Sequence, residues 1–143
     1  MAAFAAQNQV CRSVGAFFTE YDLLVTPTLG QLPAPHGTLR YDGPGHTVTS
    51  WLTSLFAYGP FTIVFNISGQ PAISLPLGWS EAGVPVGVQL VAPYGGEDLL
   101  FRIAGRLEEA MPWKDLRPAG PGSASLPRYA GPGSANPPFR QKT

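Results

Sequence analysis

Asn66-Ile67-Ser68-Gly69-Gln70-Pro71-Ala72-Ile73-Ser74-Leu75-Pro76, followed at once by a turn and then by Gly83-Val84-Pro85-Val86-Gly87-Val88-Gln89-Leu90-Val91, is the stretch that decides how this chain folds. Ala72–Leu75 is a short apolar run, and Pro71 and Pro76 bracket it as stops. Residues 84–91 repeat Val and Leu rather than alternating with polar residues, as expected of a strand buried on both faces. The Ser80-Glu81-Ala82-Gly83 turn between the two runs makes them antiparallel neighbours. Gly87 inside the second run marks a place where another backbone or a helix comes close. Gln89 among valines reads as a buried amide satisfied by hydrogen bonds.

Upstream, Phe61–Asn66 is apolar enough to be a strand or a helical turn, and the sequence does not choose. Thr47 or Thr49 can cap a helix running to about Tyr58, with Trp51, Leu52, Leu55 and Phe56 as its apolar stripe and Gly59-Pro60 closing it. Leu29–Thr47 reads as loop, broken by Pro33, Pro35, Gly37, Gly43, Pro44 and Gly45. Asp22-Leu23-Leu24-Val25 is a short strand that Thr26-Pro27 is expected to end. Residues 2–20 predict a one-sided helix carrying Phe4, Val10, Cys11, Val14, Phe17 and Phe18.

Downstream, Glu97–Met111 predicts a helix with Leu99, Leu100, Ile103, Ala104, Leu107, Ala110 and Met111 on one face. Glu97 and Asp98 open it, where the helix dipole favours negative charge. From Arg117 to Thr143 come six prolines and four glycines, and Ala-Gly-Pro-Gly-Ser-Ala occurs at 119–124 and again at 130–135. Such a segment has too little apolar surface to offset the entropy of ordering it. The chain therefore divides into a folded unit, 1–116, and a disordered Pro/Gly-rich tail, 117–143.

The chain has 143 residues, 44% of them hydrophobic and 13% charged, with a formal net charge of zero. Seven Arg and two Lys are scattered without a basic run, which argues against nucleic acid as a partner. No apolar stretch is long enough to span a bilayer, and the first residues lack the charged start and apolar block of a secretory signal. One cysteine, Cys11, cannot form an internal disulfide. The expected location is the cytoplasm, with no membrane partner.

Four ordered motifs, Tyr21-Asp22-Leu23-Leu24-Val25-Thr26-Pro27-Thr28, residues 66–76, residues 83–91 and Glu97-Asp98-Leu99-Leu100, resemble the C-terminal portion of the amidase signature family over about residues 12–113. The resemblance implies an α/β fold in which these strands form part of a larger mixed sheet flanked by helices. It also implies hydrolysis of non-peptide carboxamides by a serine nucleophile, a second serine that relays protons and a lysine base. A Gly/Ser-rich loop would hold the oxyanion. No Gly-Gly-Ser-Ser-Gly-like loop occurs in the chain, and Lys114 and Lys142 both lie beyond the last predicted helix. No catalytic residue, cofactor or metal is therefore assigned to this chain. By the same resemblance Phe56, Gly59 and Phe61, together with the loop after Thr28, are the substrate-pocket candidates. Core packing is the competing reading for the aromatics Trp51, Phe56, Tyr58, Phe61 and Phe65.

Other chemistry finds little support. There is no Gly-x-Ser-x-Gly elbow, His36, His46 and Cys11 lack metal-ligand spacing, and Cys11 on an apolar helix face reads as a small hydrophobe. Asn66-Ile67-Ser68 fits a glycosylation triplet, but a structural asparagine is the better reading. Two functional readings remain. One is an amidase fragment or subunit, inactive alone, whose amide substrate requires completion by an N-terminal part and which pairs with another chain or with itself. The other is a non-catalytic binding module derived from an amidase. If half a dozen large side chains lack partners, about 1.5–3 kcal/mol of burial is forfeited at each. That rivals the roughly 5–15 kcal/mol stability of a whole domain, so the unpaired chain is expected to be marginal or sticky.

Overall fold

The computed structural model describes residues 1–35, 37 and 40–116; the predicted tail, 117–143, lies outside the described residues. Four helices and three strands follow in the order α1 (Ala2–Phe17), β1 (Leu24–Pro27), α2 (Val48–Tyr58), α3 (Ile63–Ser68), β2 (Ala72–Trp79), β3 (Pro85–Val91) and α4 (Glu97–Ala110). The fold is α/β. The strands form one sheet in the order β1-β3-β2, antiparallel at both junctions.

The hairpin β2–β3 is the centre. Ser80 closes its turn: its amide donates to Val84 O at 2.8 Å, and its hydroxyl accepts from the Val84 amide. Gly83 sits at φ 73°, where a β-carbon would be strained. Pro76 does not end β2. The strand continues to Trp79 through a register shift between Leu75 and Gly78, so the proline is accommodated at an irregularity where no ladder bond is demanded of it.

Pro27 likewise lies within β1 rather than beyond it. Thr28 N–H donates to Gly87 O at 3.0 Å. Amide direction alternates along a strand, so the nitrogen of Pro27 faces away from β3, at the sheet edge, where its missing hydrogen costs nothing. The strand-stopping argument fails at both prolines for the same reason.

Successive strand residues point to opposite faces, and β3 shows what covers each. Leu90 clusters with Leu75, Ala92 and Leu100, so α4 lies on that face, with Leu99, Ile103, Ala104 and Leu107 packed around the cluster. Gln89 points the other way, toward the segment that leads into α3. The ambiguous run 61–66 is thus resolved as helix, ended by Gly69 in the left-handed region at φ 83°. Cys11 Sγ reaches Ile67 O at 3.7 Å and ties α1 to α3.

The core is small. Among the described residues, six hydrophobics are buried: Phe65, Leu75, Leu90, Val91, Ala92 and Leu100. α1 and α2 bury none of theirs. Phe4 is 71% exposed, and Leu52, Leu55 and Phe56, the predicted apolar stripe of α2, also stand in solvent. The helix therefore depends on its own cap. Thr47 Oγ1 accepts from the Ser50 amide at 3.1 Å, and Ser50 Oγ accepts from the Thr47 amide at 2.9 Å. Thr47→Ala is expected to cost about 1 kcal/mol. Thermal melting should show this as a drop of roughly 4–8 °C; an unchanged midpoint would mean the cap contributes nothing.

Candidate functional site

Gly59 and Phe61 stand where α2 turns into α3. Two neighbours hold this junction in place. The loop after β1 reaches it through Gly30 N–H, which donates to Tyr58 O at 2.9 Å, and through Ala34 N–H, which donates to the Tyr58 hydroxyl at 3.0 Å. A β-carbon on Gly30 would lie 2.8 Å from Ala57 O, so the approach is as close as the backbone allows. From the sheet, the Gln89 amide nitrogen donates to Thr26 Oγ1 at 3.1 Å and, more weakly, to Phe61 O at 3.4 Å. Gln89 is the one buried polar side chain among the described residues, and its amide is satisfied mainly by a hydroxyl.

On the same sheet face, Thr28 Oγ1 and Ser74 Oγ lie 2.6 Å apart. They come from the two edges of the sheet and meet across β3, directly above Gly87. A β-carbon there would sit 2.7 Å from Thr28 Oγ1 and 3.0 Å from Ser74 Oγ. The close approach expected at Gly87 is therefore made by two side chains rather than by a backbone. Thr26, Thr28, Ser74 and Gln89 form a row of neutral hydrogen-bonding groups beside the Phe61 carbonyl. Sequence reading missed the hydroxyl pair. Its only linear trace is a glycine in a buried strand, with Thr28 and Ser74 far apart in the chain.

The structure thus brings Gly59 and Phe61 together with the loop after Thr28 and with the polar row. Phe56 stands apart, 52% exposed on α2. These residues form a wall, not an enclosed pocket. A depression of about 420 Å³, open to solvent, is elsewhere, lined by Gly105, Glu108, Glu109, Pro112 and Lys114 beyond the α4 face. Its rim carries none of the wall residues and gives no convergent chemistry.

Among the described residues that meet at this junction none carries a charge. Arg40 and Asp42 pair farther along the loop after β1, and the hydrogen bond from Arg40 holds the Asp42 carboxyl below its usual range, but both side chains are largely exposed. His46 meets Trp51 edge-on at the start of α2, at the opposite end from Gly59. Among the described residues no three His, Cys, Asp or Glu side chains group to hold a metal, and no helix is long and apolar enough to cross a membrane.

Residues 1–101 match the family model described as Amidase. The 6-aminohexanoate-cyclic-dimer hydrolase of Paenarthrobacter ureafaciens is 46% identical over 105 residues, which is 68% of this chain and 20% of that enzyme. An acylamidase of Rhodococcus erythropolis is 35% identical over 72% of this chain and 21% of its own length. A solved structure of 6-aminohexanoate cyclic dimer hydrolase superposes with a TM-score of 0.73 and 39% identity, covering 82% of this chain and 26% of that one. A glutamyl-tRNA(Gln) amidotransferase chain from Thermotoga maritima gives 0.61 at 28% identity, over 80% of this chain and 23% of its own. The chain spans about a fifth of the length of the curated relatives it matches. With the ordered motifs, the α/β architecture and these likenesses in agreement, the chain belongs to the amidase signature family.

Proposed function

We propose that this chain is the C-terminal part of a serine-type amidase that hydrolyses C–N bonds of non-peptide carboxamides, with the Ser-Ser-Lys machinery supplied from outside these residues. The observation that carries this reading is the fit of the chain, at a TM-score of 0.73, to only 26% of an amide hydrolase. In the reaction a serine oxygen adds to the amide carbon, the amine leaves with a proton, and water then releases the acid. A lysine close to the serines is required, and both lysines of this chain, Lys114 and Lys142, follow α4 in the sequence. The role of this chain is to close the sheet and to supply Phe56, Gly59 and Phe61 to the substrate channel. Its partners are the small amide and the catalytic segment, whether that segment is joined to it or separate. A single cysteine and a neutral charge balance suit a cytoplasmic setting.

A second reading, a binding module without chemistry, draws on the self-contained cluster of Leu75, Leu90, Ala92 and Leu100. A sharp heat transition of the isolated chain without binding of an apolar dye would favour the module.

The decisive assay uses two proteins. The first is the 143-residue chain alone. It is expected to hydrolyse no aryl or alkyl amide and to take no label from a serine-reactive phosphonate. The second is the Paenarthrobacter hydrolase in which this chain replaces the matched fifth; there, turnover is expected to return. Turnover by the chain alone that disappears on mutating one of its own serines sinks the reading, and so does a folded, inactive hybrid.

A further inference from the structure

Resting on the amidase reading above, we infer that the part of the substrate lying against this chain is uncharged, so that the enzyme takes neutral carboxamides and discriminates against those bearing a carboxylate or ammonium group. The wall is built from the loop after β1, the end of α2, the lead into α3 and one face of the sheet. No Asp, Glu, Lys or Arg occurs between Asp22 and Arg40, between Asp42 and Glu81, or between Glu81 and Glu97, and Arg40 and Asp42, farther along the loop after β1, pair with each other. His36 and His46 are the only imidazoles in those stretches, and His46 stands at the far end of α2 from Gly59.

What the wall does offer is matched to an amide. Thr28 and Ser74 hold each other at 2.6 Å, which uses one hydroxyl proton and leaves the other free to donate. Gln89 and Thr26 continue the row, and Phe61 supplies apolar surface beside it. Neutral donors and acceptors satisfy a carboxamide, whereas an ion moved from water to this surface meets no opposite charge. An unpaired ion loses its hydration with nothing in return.

The test compares hexanamide with two amides of similar length, 6-aminohexanamide and the half-amide of adipic acid, in the hybrid enzyme described above. The expected kcat/KM for hexanamide is at least tenfold above that for either charged amide. Equal or faster hydrolysis of a charged amide overturns the inference while leaving the amidase reading intact. Hydrolysis of none of the three overturns both.

Discussion

Leu90→Ala is expected to remove about 3 kcal/mol of folding stability and to lower the melting temperature by roughly 10–20 °C. Leu90 is 3% exposed near the end of the middle strand, where it meets Leu75, Ala92 and Leu100. Truncation loses the transfer energy of the removed methyl groups and leaves a cavity between the sheet and α4. Because only six hydrophobic residues are buried among those described, the loss cannot be spread over a large core. Phe101, on the outer face of α4 and 71% exposed, is the control. Phe101→Ala should change stability by less than about 0.5 kcal/mol. Chemical denaturation of the two variants beside the parent decides the matter. Similar losses at both positions would mean that Leu90 does not centre the core.

The contrast between these positions also shows what the sequence could and could not disclose. The inward face of α4 was legible because a helix that packs on one side writes its burial into a 3.6-residue period, and Leu99, Leu100, Ile103, Ala104 and Leu107 do so. The same period runs more weakly through α1 and α2, yet neither helix buries a residue. Periodicity records which face seeks a partner, not whether the partner lies in the same chain. That these faces are at most half-covered fits a chain that covers a quarter of the solved amide hydrolase it resembles. The prolines failed for another reason. Pro27 and Pro76 break strands only if their nitrogens face a neighbour, and that orientation depends on register, which the linear sequence does not contain. For the site, the chain segment carrying Gly59 and Phe61 could be named from motif resemblance. Its support by Gln89 and the meeting of Thr28 with Ser74 required the fold, since the bonded residues are 28 and 46 positions apart.

Gly87→Ala carries the second large effect, and its origin can be isolated by a double-mutant cycle. The new β-carbon would lie 2.7 Å from Thr28 Oγ1, 3.0 Å from Ser74 Oγ and 3.1 Å from Thr28 Cβ. Distances this short force the two edge strands apart or turn both hydroxyls out of contact, because the central strand is hydrogen-bonded on both sides and cannot recede. Overpacking of this kind costs about 1–3 kcal/mol, and the broken hydroxyl pair adds to it. An expected loss of about 2–3 kcal/mol follows, against well under about 1 kcal/mol for Thr28→Ala or Ser74→Ala, whose hydroxyls are not deeply buried. If the clash is the cause, removing the hydroxyls relieves it. The triple change Gly87→Ala, Thr28→Ala and Ser74→Ala should then be at least about 1 kcal/mol more stable than additivity of the separate losses allows. Strict additivity in urea melts would place the cost of Gly87→Ala in the backbone of β3 and remove steric exclusion as the reason for a glycine at that position. A large positive coupling would establish that the glycine is kept so that two hydroxyls from opposite edges of the sheet can meet above it, which is the arrangement the proposed neutral substrate wall is built on.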